Sequence, residues 1–160
     1  MKKFTTKQIV ASGLIAAIYA AVTLSTAGMS FGPTQIRVAE SMALLPLILP
    51  EAIPGLFVGC FLSNTIAGYG IADAIFGSMT TLFAAYLTSK CKNAVVGGLP
   101  PVILNGLVIG LMLKLLGVSE GPLPVIIVLI AVEEAASVYI LGLPLYSLLR
   151  KLINSDSEVM

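Results

Sequence analysis

Residues 35–46 read QIRVAESMALLP, and this stretch places a cation, Arg37, three residues before an anion, Glu40, at the start of an apolar segment. The rest of the chain carries little charge. Charged residues make up 11% and hydrophobic residues 58% of the 160 residues, and the mean hydropathy is +1.02. Soluble domains carry roughly 25% charged residues. The composition therefore predicts an integral membrane protein, in which charge inside an apolar segment marks a functional position.

Apolar segments separated by turn residues and prolines divide the chain into predicted spans. A membrane-crossing helix needs about 20 apolar residues, so the chain has room for about five or six crossings. We predict a single all-α domain with six transmembrane helices at residues 7–27, 36–49, 52–68, 71–89, 95–116 and 122–149. The first segment is long for the h-region of a secretory signal, so we expect an uncleaved helix. After Asn154 we expect a short frayed tail.

The basic residues indicate how these spans are oriented. If six helices cross the membrane, both ends of the chain lie on the same side. The basic residues on that side would be Lys2, Lys3, Lys7, Lys90, Lys92, Arg150 and Lys151, and those on the other side Arg37 and Lys114. Basic residues concentrate on the cytoplasmic side of membrane proteins. The pattern predicts a multi-pass protein of the cell membrane with both termini in the cytoplasm.

Polar residues inside the predicted spans lie mostly in the outer half of the bundle. Ionisable residues at membrane depth usually face the bundle interior and mark a substrate or ion path. We therefore predict a polar pocket that opens to the outside and binds a small molecule. The candidate binding residues are Gln35, Arg37, Glu40, Asn64, Asp73, Asn105 and Glu134.

Each candidate also has a structural interpretation. Arg37 and Glu40 could pair with each other on one helix surface, because residues three apart are neighbours there. Asn64 and Asn105 could bridge helices. Asp73 fits best as an acid near water at a helix N-terminus, where the helix dipole favours it. Glu134 could be a protonated or Arg-paired acid, and its neighbour Glu133 points about 100° away.

The first predicted helix carries two rows of small residues that together form a smooth face. Small residues let helix backbones approach closely in lipid. The rows could pack within the bundle, but on an N-terminal helix we expect them to dock a membrane partner. The residues are Ser12, Ala16 and Ala20 in one row, and Gly13, Ala17 and Ala21 in the other.

Several activities are disfavoured by the sequence. It has no phosphate-binding loop of the GxxxxGK[ST] type and no histidine, which excludes histidine-containing zinc sites and a Ser-His relay. A net charge of +1 argues against nucleic acid as a partner. Cys60 and Cys91 show no metal or disulfide spacing. We expect a protein that is not an enzyme and carries no metal or cofactor.

The sequence resembles the QueT family of queuosine-precursor transporters. The matching segments are residues 35–46, Glu134-Ala135 with residues 141–145, residues 68–73 with 76–78 and 81–82, and residues 100–102 with 105–106. The resemblance implies a six-helix substrate-binding S-component of an energy-coupling-factor (ECF) transporter. Such a subunit docks on a transmembrane coupling subunit, and two partner ATPases hydrolyse the ATP.

The resemblance also implies a ligand and roles for the site residues. The ligand would be a 7-deazaguanine such as the 7-aminomethyl or 7-cyano precursor. Glu134 would take the guanine edge in a bidentate pairing, Asn105 the other polar edge, and Glu40 or Asp73 a cationic aminomethyl group. The family's small-residue motif would correspond to Ala16, Tyr19, Ala20 and their neighbours. Glu133 departs from the family pattern, where glycine is expected, so Glu134 is the better candidate for ligand binding.

Three alternatives stay open at this point. The chain could be an S-component for another vitamin or heterocycle. It could be a secondary carrier driven by protons through Glu133 or Glu134. It could also be a structural membrane protein, which would bind no small molecule.

Overall fold

The structure, a computed structural model, describes residues 4–31 and 36–159, with side chains as far as residue 155. Every regular element in these ranges is helical. The elements are α1 (Thr6–Ser25), α2 (Ala27–Ser30), a 3₁₀ helix (Val38–Leu47), α3 (Ala52–Ala67), α4 (Ile71–Thr88), α5 (Ala94–Leu115) and α6, which comprises Leu123–Ala135, Ala136–Gly142 and Leu143–Val159.

Four of these helices are long and apolar enough to cross a membrane: α1, α4, α5 and α6 as far as Ser155. The prediction of an all-α membrane protein is therefore confirmed. The predicted count of six spanning helices is not confirmed, because the helices at predicted spans two and three have only 10 and 16 residues. Large apolar side chains cover much of the bundle's outside, among them Ile66, Ile71 and Ile140, as expected for a surface in contact with lipid.

The second predicted span was expected to be an α-helix over residues 36–49, and this was wrong. Val38–Leu47 is a 3₁₀ helix, a form that rarely continues beyond one turn. Pro46 lies inside it and has no N–H to donate. A 3₁₀ helix rises about 2.0 Å per residue, so ten residues cover about 20 Å instead of about 15 Å. The 3₁₀ form thus carries a short segment further across the bilayer.

The 3₁₀ helix occupies the middle of the bundle. It contacts α1, α3 and α4, the first turn of α5, and α6, and its residues from Met42 to Pro46 are buried. At Gly142 of α6 an added Cβ would lie 2.8 Å from the backbone oxygen of Ser41. The two backbones therefore approach so closely that only glycine fits at this position.

Helices α5 and α6 each contain a π-helical segment, Asn105–Ile109 in α5 and Ala136–Gly142 in α6. A π segment inserts one extra residue per turn and is often found at functional sites. Asn105 is the first residue of one segment, and Glu134 lies two residues before the other. Helix α6 continues to Val159, so the expectation of a frayed tail after Asn154 was wrong.

Candidate functional site

Arg37 lies at the centre of a buried polar cluster inside the bundle. It directly precedes the 3₁₀ helix in an extended conformation and is only 6% exposed. Its Nη2 atom is 3.8 Å from Oδ1 of Asp73, and its Nη1 atom is 3.9 Å from Sγ of Cys60. The guanidinium also lies 5.3 Å from the ring centroid of Phe31. A buried cation with these partners links the 3₁₀ helix to α3 and α4.

Asp73 accepts several hydrogen bonds at the start of α4. Nδ2 of Asn64 donates to its backbone oxygen at 3.1 Å and to Oδ1 at 3.4 Å, and the backbone N–H of Tyr69 donates to Oδ2 at 3.2 Å. Asp73 does lie in the first turn of its helix, as predicted. The expectation that it lies near water was wrong, because it is fully buried. The counter-ion Arg37 and these donors stabilise it there.

Glu40 lies on the 3₁₀ helix and is 2% exposed. It accepts a hydrogen bond from the phenol of Tyr19, which is fully buried on α1. Arg37 forms its ion pair with Asp73 and not with Glu40. The alternative that Arg37 and Glu40 pair with each other on one helix surface was therefore wrong. These two residues instead connect the 3₁₀ helix to different neighbours.

Glu134 of α6 and Asn105 of α5 meet across a small cavity. Both side chains are buried, at 7% exposure for Asn105 and 5% for Glu134. The cavity is lined by Arg37, Asn105, Ile109, Ile130 and Glu134. Its volume is about 10 Å³, near the minimum that one water molecule requires. The site is thus closed around a space smaller than any heterocycle.

Several polar atoms of this cluster have no hydrogen-bond partner among the described residues. They are Nε and Nη2 of Arg37, Oδ1 of Asn64 and Oε1 of Glu134. An unsatisfied buried polar atom costs about 1–3 kcal/mol, and more if it is charged. Native proteins leave few such atoms. Arg37 and Glu134 both line the cavity, and unpartnered polar atoms around a cavity are typical of groups that bind a ligand.

The structure brings six of the seven predicted binding residues into this one cluster, which contains Arg37, Glu40, Asn64, Asp73, Asn105 and Glu134. The seventh, Gln35, lies outside the described residues. Glu133 is buried as well, at 8% exposure, and its backbone oxygen accepts from Ser137. The roles of these side chains in ligand binding remain predictions.

The predicted docking face of α1 is divided between two environments. The row of Ser12, Ala16 and Ala20 turns toward the bundle: an added Cβ at Gly59 of α3 would lie 2.8 Å from the backbone oxygen of Ala16. The row of Gly13, Ala17 and Ala21 is exposed. A partner that approaches α1 would therefore meet the second row.

Sequence reasoning did not include Tyr19 or Cys60 among the candidate binding residues. Thr81 donates a hydrogen bond to Sγ of Cys60 at 3.4 Å, so Cys60 belongs to the same polar cluster. The position of Tyr19 could have been recognised in the sequence, because a phenol in the middle of an apolar helix needs a hydrogen-bond partner. Its partner on another helix is not visible in sequence spacing.

The cluster contains more acidic residues than basic residues. Arg37 is the one cation of the cluster, whereas Glu40, Asp73 and Glu134 are three acids. Opposite charges stabilise one another in a low dielectric, and unpaired charges there are costly. The single guanidinium of Arg37 therefore cannot pair with all three acids of the cluster.

Comparison with known proteins adds an independent line of evidence. A family model described as "QueT transporter" matches residues 9–151. The chain is 32% identical over 84 residues to a protein of Lactococcus lactis subsp. cremoris (strain MG1363) named "Queuosine precursor transporter QueT". That match covers 51% of this chain and 49% of the relative, so the chain spans about half of that relative's length.

A second relative covers more of the chain. A protein of Streptococcus pneumoniae (strain Hungary19A-6), named "UPF0397 protein", is 29% identical over 127 residues, which cover 71% of this chain and 70% of the relative. No solved structure matches significantly. Because the family model covers most of the sequence, the resemblance noted in the residues is confirmed, and the chain belongs to the QueT transporter family.

Proposed function

We propose that this chain is the membrane-embedded substrate-binding subunit for uptake of a queuosine precursor, a 7-deazaguanine in its 7-aminomethyl or 7-cyano form. The observation that carries the proposal is the closed cavity between Arg37, Asn105 and Glu134, with its unpartnered buried polar atoms. The name of the Lactococcus lactis relative supports the choice of ligand.

The chemistry of the cluster fits the polar edges of this ligand. A carboxylate can accept from both the ring N–H and the exocyclic amine of a guanine, and such charge-assisted pairs are stronger than neutral hydrogen bonds. Glu134 takes this role because its Oε1 has no partner within the described part of the chain. Asn105 binds the other polar edge, since its amide can both donate and accept.

The excess of carboxylates favours the aminomethyl form. A cationic aminomethyl group near Glu40 or Asp73 reduces the imbalance between three acids and one arginine. The neutral cyano form lacks this contribution. We therefore expect the 7-aminomethyl precursor to bind more tightly than the 7-cyano precursor.

Ligand entry requires the cavity to open. A space of about 10 Å³ holds one water at most, so Arg37, Asn105 and Glu134 must move apart to admit a heterocycle. Arg37 lies on non-helical backbone next to residues 32–35, whereas Asn105 and Glu134 lie on long helices. Movement of Arg37 separates it from Asp73, so the bound ligand must replace that pairing, and Gln35 is close in sequence to contribute to the bound state.

The exposed row Gly13, Ala17 and Ala21 docks the chain on an ECF coupling subunit in this proposal. Two partner ATPases then supply the energy, and the chain itself catalyses no reaction. The protein lies in the cytoplasmic membrane with both termini inside, as the distribution of basic residues indicates.

Uptake in cells tests the proposal. The test uses a host strain that neither makes nor imports queuosine precursors. After 7-aminomethyl-7-deazaguanine is supplied to this strain, the appearance of queuosine in its transfer RNA reports uptake. We expect queuosine when the chain is expressed with an ECF coupling module, and none when either is expressed alone. Uptake by the chain alone that an uncoupler abolishes would instead support a proton-driven carrier, and competition by thiamin would support another heterocycle.

A further inference from the structure

A second pocket lies at the end of the bundle where the 3₁₀ helix and α4 both finish. Its volume is about 350 Å³, within the usual range for small-molecule sites. It shares no residue with the cavity around Arg37. The lining residues are Pro46, Leu47, Ile48, Pro50, Ile53, Tyr86, Ser89 and Lys90.

The pocket has a polar side and an apolar side. The last turn of α4 and the residues after it supply Tyr86, Ser89 and Lys90. The end of the 3₁₀ helix, the start of α3 and the segment between them supply only prolines and aliphatic residues. Nζ of Lys90 lies 5.2 Å from the ring centroid of Tyr86, a cation–π distance. Oγ of Ser89 donates to the backbone oxygen of Tyr86 at 2.7 Å. One positive charge is thereby positioned at the rim of the pocket.

Lys90 is the one charged residue among the described residues that line the pocket. Nη1 of Arg150 is 3.4 Å from the phenol oxygen of Tyr146, and neither residue lines the pocket. Lys92 is exposed two residues beyond Lys90. Glu51 follows Pro50 but is buried and is not a lining residue. The rim is therefore suited to an anion.

The surroundings of the pocket indicate that this anion carries an apolar chain. Phe83 and Leu87 are 57% and 46% exposed on α4 next to the polar side, so the pocket adjoins the lipid-facing surface of the helix. Basic pockets between helices at the cytoplasmic end of membrane proteins bind anionic lipid headgroups. A soluble anion would leave the aliphatic side of the pocket without a partner.

We propose that this pocket binds an anionic phospholipid, with its phosphate at Lys90 and the start of an acyl chain against Leu47, Ile48 and Ile53. The lipid comes from the leaflet at the end of the bundle that carries Lys90 and Arg150. This site is independent of the transported ligand, so it can be tested in the chain alone.

The test measures lipid retention and thermal stability of the purified full chain in detergent. Phosphatidylglycerol is added, with phosphatidylcholine and glycerol 3-phosphate as comparisons, and bound lipid is counted by native mass spectrometry. We expect phosphatidylglycerol alone to be retained and to raise the Tm. Lys90→Gln should weaken this binding about fivefold, because one positive charge near the headgroup is lost. Lys92→Gln removes the same charge outside the pocket and should have little effect.

Three results would overturn the proposal. Equal weakening in Lys90→Gln and Lys92→Gln would mean diffuse surface charge. Stabilisation by glycerol 3-phosphate would mean a site for soluble anions, and equal retention of both lipids would mean no headgroup site.

If Lys90→Gln does not fold, Tyr86→Leu removes the ring that positions the lysine, whereas Tyr86→Phe keeps it. Phosphatidylglycerol binding must then be lost in Tyr86→Leu and kept in Tyr86→Phe, and the opposite result would overturn the proposal.

Discussion

The phenol of Tyr19 on α1 donates a hydrogen bond to the carboxylate of Glu40 on the 3₁₀ helix. Both residues are buried. The same turn of α1 that carries Tyr19 also presents Ala17 and Ala21 on the outside of the bundle. One hydrogen bond therefore connects the candidate ligand site with the candidate docking helix, and a change in the position of Glu40 on ligand binding would act directly on α1.

Replacing Tyr19 by phenylalanine should destabilise the protein. Tyr19→Phe keeps the ring packed but removes the hydroxyl donor from a buried carboxylate. The free energy of unfolding should fall by about 1–3 kcal/mol, because one partner of a buried hydrogen bond is lost. Thermal unfolding in detergent measures this. Tyr86→Phe is the control, since Tyr86 is 53% exposed. Equal stability of the two variants would contradict a structural role for the Tyr19–Glu40 bond.

The contact between α1 and α3 should depend on Gly59. An added Cβ there would lie 2.8 Å from the backbone oxygen of Ala16 and 2.8 Å from Cβ of Tyr19. Gly59→Ala should therefore lower the free energy of unfolding by about 1–3 kcal/mol, as overpacking does. Gly13→Ala on the exposed side meets nothing within 4 Å and should be neutral or stabilising, by up to about 1 kcal/mol. The opposite ranking in thermal unfolding would refute this account of the helix contact.

The ion pair between Arg37 and Asp73 should stabilise the chain even without ligand. Arg37→Gln leaves Asp73 buried without its counter-ion, and breaking a buried pair in this way costs about 3–5 kcal/mol. Lys151→Gln removes an exposed cation on α6 and should change stability by less than about 0.5 kcal/mol. Thermal unfolding of both variants decides the matter. A loss for Arg37→Gln no larger than for Lys151→Gln would show that the pair contributes nothing.

Docking on a coupling subunit should need the exposed small residues of α1. Ala17→Trp adds bulk where two helices must approach, and uptake should fall about fivefold or more because overpacking an interface costs at least about 1 kcal/mol. Binding of the ligand to the purified chain should stay unchanged. Ile75→Trp adds similar bulk on the exposed face of α4 and should leave uptake intact. Loss of binding in Ala17→Trp would show damage to the bundle itself.

The sequence predicted the bounds of two helices closely. The bounds of α3 and α4 lie within one residue of the predictions 52–68 and 71–89, because Pro50 and the glycines around Tyr69 interrupt a continuous apolar pattern. The candidate site was accessible to prediction as well. Burying a charged or amide side chain at membrane depth is costly, so the few such residues converge inside the bundle.

The details of the backbone were not predictable in the same way. The 3₁₀ helix at Val38–Leu47 and the π segment after Glu134 depend on tertiary packing, such as the close approach of Gly142 to Ser41. Hydrophobic periodicity indicates which residues are buried. It does not distinguish an α-helix from a 3₁₀ helix or a π-helical segment. The pairing of Arg37 with Asp73 was missed for a related reason: the nearest acid in sequence is Glu40, but the nearest acid in space lies on α4.

The most direct test of the central claim is isothermal titration of the purified chain with 7-aminomethyl-7-deazaguanine, with guanine and thiamin as comparisons. We predict tight binding of this precursor alone. Glu134→Gln should weaken it about 10- to 100-fold, the effect expected when hydrogen bonds to a charged group are lost, and Glu133→Gln should weaken it much less. Binding of thiamin in place of the precursor, or equal affinity in wild type and Glu134→Gln, would contradict the proposed site.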